Sequence, residues 1–106
     1  MPTANLDCAP PLPPFGVYGG IATLRGRDYP CVTNVGTRPS ADAEERISVE
    51  TMLLDFSGDL YGETLRLSLR FFLRPIRRFE GGLDAVAEQV RMDAEETRRR
   101  LMENAP

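Results

Sequence analysis

From Leu65 to Arg70 the chain alternates without a break: Leu65, Leu67 and Leu69 are apolar, and Arg66, Ser68 and Arg70 are polar. A period of two belongs to a strand with one buried and one wet face, and it predicts a strand over Glu63–Leu73. Three earlier segments read the same way. Phe15–Leu24, with Val17, Tyr18 and Ile21, and Tyr29–Val35 predict a hairpin about the turn Arg25-Gly26-Arg27-Asp28. Ile47–Phe56 is rich in β-branched and aliphatic residues and predicts a further strand. Gly36–Glu45 is polar and contains Pro39, which predicts a loop, and Ser57-Gly58-Asp59 with Tyr61-Gly62 predicts a turn. The four prolines of Asp7–Pro14 predict a stiff surface connection.

The period then changes. Leu83, Val86, Ala87, Val90, Ala94, Thr97 and Leu101 recur at helical spacing. Asp84 and Glu88 stand at the start of this segment and Arg98–Arg100 at its end, the arrangement that suits the helix dipole. Glu95 with Arg99 and Glu96 with Arg100 are spaced as i,i+4 pairs, and the helix's charges read as a solvated face. Strands followed by one helix predict a single domain over residues 1–106, all-β with a C-terminal helix. Strands and loops occupy residues 1–79 and the helix residues 82–104.

Composition narrows the chemistry. The chain has 106 residues, no histidine and no tryptophan, and all 13 of its basic residues are arginine. Without histidine or lysine, Ser-His-Asp and Cys-His catalysis, Schiff bases and a Walker-type phosphate loop are all excluded. Carboxylates, hydroxyls, arginine, cysteine or a bound metal remain. A net charge of −3 argues against a nucleic-acid partner. No apolar run has the length of a membrane span, so a cytoplasmic location without membrane contact is expected. Cys8 and Cys31 match no metal or redox spacing; Cys31 reads as a small core residue, and a cytoplasmic setting disfavours a disulfide between them.

Four places could carry chemistry. In Pro2-Thr3-Ala4-Asn5, Thr3 and Asn5 point to one side of an extended segment and offer two neutral oxygens to a hard cation such as Mg²⁺. Glu50 lies mid-strand among apolar residues, where burial would raise its pKa and fit it to take a proton from a substrate hydroxyl. The alternative for Glu50 is an outward-facing residue on the barrel surface. Asn34–Arg38 can meet phosphate through backbone amides and a guanidinium, or can be a plain strand exit. Arg74, Arg77 and Arg78 flank Pro75 and suit a phosphate clamp, a stack on a flat ring, or a solvated loop.

Taken in order, Pro2-Thr3-Ala4-Asn5, Pro14-Phe15-Gly16-Val17-Tyr18, Asn34-Val35-Gly36-Thr37-Arg38-Pro39, Val49-Glu50, Leu53-Leu54-Asp55-Phe56, Asp59-Leu60-Tyr61-Gly62 and Leu73-Arg74-Pro75 resemble riboflavin kinase. The likeness is to the kinase module at the C-terminal end of bacterial bifunctional FAD synthetases, and it covers essentially the whole chain. It implies a Greek-key six-stranded β-barrel and Mg²⁺-dependent transfer of the ATP γ-phosphoryl group to the riboflavin 5′-hydroxyl. It also implies roles: Thr3 and Asn5 for the metal and the nucleotide, Asn34 and Arg38 for the nucleotide, Glu50 as catalytic base, and Arg74 and Arg77 for the flavin. The pattern departs from the family at Ile76, where glutamate is usual. It departs also at Met1, which stands where a strand and a glycine-rich segment normally precede the Pro-Thr-Ala-Asn motif. A barrel lacking its first strand is therefore expected, its place open to an upstream segment or a strand-donating partner. The alternative to a working kinase is a truncated barrel that binds flavin or a partner strand without turnover. With no adenylyltransferase domain, FAD synthesis by these residues is not expected.

Overall fold

Arg25 and Gly26 both adopt positive φ, 51° and 78°, the type I′ geometry whose twist suits a two-residue hairpin. They join β2 (Gly16–Leu24) to β3 (Arg27–Pro39). The structure, a computed structural model, describes residues 3–6, 13–39, 45–60, 62–76 and 82–103; for residues 3–6, 38, 39, 45 and 46 it describes the backbone alone. With β1 (Thr3–Leu6), β4 (Glu45–Leu53) and β5 (Leu65–Arg74), the strands form one antiparallel sheet in the order β1-β4-β3-β2-β5. Strands β2, β3 and β4 are successive antiparallel neighbours, and β1 pairs with the other side of β4. The fold is thus mostly antiparallel β-sheet with one C-terminal helix, α1 (Gly82–Glu103).

One expected loop is strand. Gly36–Pro39 pairs with Glu45–Ser48 in continuous register, Gly36 opposite Ser48 and Pro39 opposite Glu45. The polar composition of this arm suits a solvated ladder, and Pro39 occupies the final strand position, where a missing N–H disturbs nothing that follows. Residues 7–12 of the connection expected over 7–14, and the loop tip at 40–44, lie outside the described residues, as does Cys8.

The two sheet faces differ. On the first, Ala22, Leu24, Cys31, Leu53 and Leu60 form a buried cluster with Leu65 and Leu67 against it. Tyr18, Val35 and Val49 continue the same face with Leu67 and Leu69. Inside this core the Thr33 and Thr51 hydroxyls are hydrogen-bonded at 2.7 Å, and the Cys31 thiol lies 3.7 Å from the Thr33 oxygen. The second face carries Val17 and Val32, which pack with Leu54, Met52, Leu73 and, from α1, Ala94.

The alternation of β5 does not run to its end. Leu65, Leu67 and Leu69 face Leu24, Ala22 and Gly20, but the next pairs are Phe71 with Gly19, Phe72 with Tyr18 and Arg74 with Val17. Arg70 and Leu73 are thus extra residues, two β-bulges that re-aim the strand. Phe71 now lies on the helix side, under the guanidinium of Arg100 at 5.2 Å, and Phe72 packs edge-on to Tyr18. Gly20 makes the first bulge feasible: a Cβ there would run into the Ser68 carbonyl oxygen and lie 3.1 Å from the Leu69 Cα.

The helix is also not the one its apolar stripe predicts. Leu83 is 87% exposed and Val86 40%, whereas the buried positions are Gln89, Asp93, Ala94 and Thr97. The solvated-face reading holds for Arg91 with Glu88 and Glu95, Arg99 with Glu96 and Glu103, and Arg100 with Glu96. It fails at Asp93. The expected Glu96–Arg100 pair forms at 2.7 Å, while Glu95 pairs with Arg91 in place of Arg99.

Two outcomes follow. Gly20→Ala is expected to destabilise the fold by about 1–3 kcal/mol through overpacking at the bulge, read as a lower urea midpoint; an unchanged midpoint would mean that β5 gives way freely. Burial pushes the Cys31 thiol above its ordinary value, partly offset by hydrogen bonds with Thr33 and Thr51. Above about pH 8.5 the unfolded thiol ionises while the folded one keeps its proton. The stabilisation is therefore complete below that pH and declines above it. Urea midpoints measured from pH 7 to 10 should fall more steeply for the wild type than for Cys31→Ala, and equal slopes would contradict the assignment.

Candidate functional site

Register alone assembles the site. Asn5 pairs with Glu50, Glu50 with Asn34, Asn34 with Val17, and Val17 with Arg74. These five residues make one row across all five strands, and directly paired residues share a sheet face. It is the helix face, since Asn34 and Glu50 alternate with buried Thr33, Val35, Val49 and Thr51. A parallel row two residues away joins Thr3 to Met52, and Met52 to Val32. The backbone of the Pro-Thr-Ala-Asn motif therefore runs directly alongside Met52 and Glu50.

Between this face and α1 lies a groove of 320 Å³ lined by Val17, Val32, Asn34, Glu50, Met52, Arg74, Val86, Val90 and Asp93. Its size is at the lower end of small-molecule sites, roughly 300–1,000 Å³. Valine and methionine side chains from β2, β3 and β4 form the floor, and Val86 and Val90 of α1 form a wall. The polar groups sit apart: Asn34 and Glu50 on adjacent strands, and Arg74 on β5 with Asp93 on the helix. Adjacent strands are about 4.8 Å apart, so the Glu50 and Arg74 backbones, three strands apart, are separated by roughly 14 Å. Both side chains line the groove.

Glu50 is exposed. The expectation of a carboxylate desolvated within the strand is corrected: parity turns it outward, as its surface alternative held. That surface is nevertheless the groove rim, so the two readings describe one position. Arg74 is held rather than solvated. Its Nε donates to both Asp93 oxygens at 3.1 and 3.3 Å, its Nη2 to Asp93 Oδ2 at 2.9 Å, and its Nη1 to the Pro75 carbonyl at 3.3 Å.

Of the other expected site residues, Arg38 pairs with Arg46, four residues along β3 from Asn34 and so about 13 Å away along the strand. The side chains of Thr3, Asn5 and Arg38, and all of Arg77, lie outside the described residues. Sequence reading missed Asp93 and Gln89 altogether. Their signal was partial: they sit four apart on the helical surface that also carries Val90, Ala94 and Thr97. A carboxylate on an apolar stripe calls for a partner. Among the described residues no group of three or more histidine, cysteine, aspartate or glutamate side chains gathers to hold a metal.

Comparison with known proteins gives a concordant result. The flavokinase (riboflavin kinase) family model matches residues 1–101. The chain is similar to the RNA-binding riboflavin kinase RibR of Bacillus subtilis, 34% identical over 93 residues, which are 88% of this chain and 40% of that protein. It is also similar to the bifunctional riboflavin kinase/FMN adenylyltransferase of Escherichia coli, 37% identical over 95 residues, covering 88% of this chain and 30% of the relative. Among solved structures, a macrolide-efflux protein from Streptococcus pneumoniae superposes with a TM-score of 0.80 at 30% identity, covering 92% of this chain and 32% of the other. The chain thus spans 30–40% of the length of these curated relatives. No helix among the described residues is long and apolar enough to cross a membrane.

Proposed function

This chain belongs to the riboflavin kinase family, and on that premise we propose that residues 1–106 act as one kinase domain. It transfers the γ-phosphoryl group of ATP to the 5′-hydroxyl of riboflavin, giving FMN and ADP. The observation that carries the reading is the pairing of Glu50 with Asn5 on one side and Asn34 on the other, at the rim of an apolar groove. A slot floored by valine and methionine suits a flat ring, and the carboxylate at its rim suits the hydroxylated chain that leaves that ring.

In this reading Glu50 accepts the proton of the 5′-hydroxyl as its oxygen bonds to the γ-phosphorus and the bond to the ADP oxygen breaks. Thr3 and Asn5, on the strand beside Glu50, hold Mg²⁺ and nucleotide phosphate. A hydroxyl, an amide carbonyl and a carboxylate are oxygen donors of the kind a hard cation takes, which fits a chain without histidine. When bound, such an ion neutralises charge on the transferring group. Asn34 borders the nucleotide beside the base, and Arg38 reaches it from the β3–β4 arm. Arg74 and Arg77 lie toward the flavin. The six-stranded Greek-key barrel and the cytoplasmic location belong to the same proposal; among the described residues β1 and β5 each pair on one side, which leaves an edge that a further strand could join.

Supplied with riboflavin, ATP and Mg²⁺, the protein is expected to form FMN, and Glu50→Gln to lower kcat by on the order of 10²–10⁴-fold. Absence of FMN with the wild type would overturn the activity, and a wild-type rate for the variant would overturn the role of Glu50. Val90→Trp should fill the groove and abolish quenching of riboflavin fluorescence while the protein stays folded. Unchanged riboflavin affinity in that variant would place the ring elsewhere.

A further inference from the structure

The contact between α1 and the sheet is apolar around Ala94, yet a charged cluster lies within it. The Asp93 side chain is 7% exposed and its Arg74 partner 21%. Asp93 accepts from the Arg74 Nε and Nη2 and, through Oδ1, from the Gln89 Nε2 at 2.9 Å. Both carboxylate oxygens are thus engaged, one turn of the helix is tied to itself, and that turn is tied to β5. A buried ion pair is a weak source of stability, since apolar residues of similar volume often serve as well. What it supplies is geometry: valines and leucines tolerate sliding, whereas a carboxylate gripped by a guanidinium fork does not.

The place it fixes is the groove. Val90 lies three residues before Asp93 and Val86 three before Gln89, so both wall residues share the helical surface that the cluster pins. A one-residue slip of α1 would rotate them by about 100° and move them by about 1.5 Å. Arg74 in turn stands on the Glu50 row. Two residues on, the Ile76 Cδ1 sits 2.7 Å from where a Cβ on Gly36 would be, so the segment leaving β5 is clasped to α1 at Arg74 and to β3 at Ile76.

We infer that Gln89 and Asp93 are positioning residues of this site, which act through Arg74 to hold the α1 wall opposite Glu50. The inference rests on the groove being where riboflavin binds. It assigns Arg74 a task distinct from contact with the flavin: the guanidinium sets where the helix stands.

A double-mutant cycle with Asp93→Asn and Arg74→Gln tests it. Asp93→Asn leaves the guanidinium in place, so a direct ligand role for Arg74 predicts riboflavin KM unchanged or improved. The positioning role predicts that each single variant raises KM by about tenfold or more. It also predicts kcat less affected than KM, and a double variant no worse than either single one. Helix placement is read without substrate from the methyl NMR signal of Met52 on the groove floor, which should shift in both single variants. An apolar replacement, Arg74→Met with Asp93→Leu, should keep the thermal midpoint while the Met52 signal still moves. A wild-type Met52 signal in Asp93→Asn, or a wild-type KM, overturns the inference. A wild-type protein that makes no FMN overturns the kinase reading instead, and the Met52 signal then decides this one by itself.

Discussion

The hydrogen bond between the Thr33 and Thr51 hydroxyls, 2.7 Å long and wholly buried, stands behind the arrangement of everything on the opposite face. These residues are direct partners in the β3–β4 ladder. A slip of β4 by one residue would turn Glu50 into the core, bring Val49 out and part Thr51 from Thr33. The bond itself contributes little, of the order of a cross-strand pair at about 0.2–1 kcal/mol. The penalty for the wrong register is larger. Orphaning buried hydroxyls costs about 1–3 kcal/mol each, and burying an unpaired carboxylate costs more. The pair therefore contributes more to uniqueness than to stability, and the neighbouring Asn34–Glu50 row inherits that uniqueness.

Because β1 is registered on β4, the Pro-Thr-Ala-Asn segment has no independent choice of neighbour: whatever β4 presents outward lies beside Thr3 and Asn5. At the other edge the sheet uses a different device. Two bulges in β5 break its alternation so that Leu65, Leu67 and Leu69 serve the core while Phe71 and Arg74 serve the helix. One strand thus supplies both layers, and small residues on β2 leave the space that the changeover needs.

Much of this was legible in the sequence. The period-two runs located β2, most of β3 and β4, and β5, and the helical period located α1. The quoted motifs led to the family that the comparisons establish. Glu50 was singled out and does line the groove, but the burial expected for it is not found. Apolar neighbours suggested burial, whereas strict alternation with Val49 and Thr51 already implied that it faces outward. What stayed hidden was non-local. Nothing within β5 announces its bulges, because the cause lies across the ladder at Gly20. The place of Asp93 among the apolar positions of α1 hints at burial but does not identify the arginine it meets, which is 19 residues away on another element. Pro39 looked like a breaker because the position at which a strand ends depends on its partner's length as well as on its own residues.

On the kinase reading, a chain without histidine or lysine relies on placement, and this fold divides that work between two rigidities of different kinds. The sheet quantises position: Glu50, Asn34 and β1 can occupy the correct register or one a full residue away, with a steep penalty between them. The helix lacks such steps, since its apolar contacts with Val17, Val32 and Leu54 would accept small rotations at little cost. A groove with one quantised side and one sliding side would have a fixed floor and an uncertain width. Placing a carboxylate in the sliding interface, where it must find its arginine or remain buried without a partner, gives the helix a single low-energy setting. On this argument the charged cluster under α1 and the hydroxyl pair under β3 and β4 do the same job on opposite faces of the sheet. Each makes the wrong alignment expensive more than it makes the right one strong.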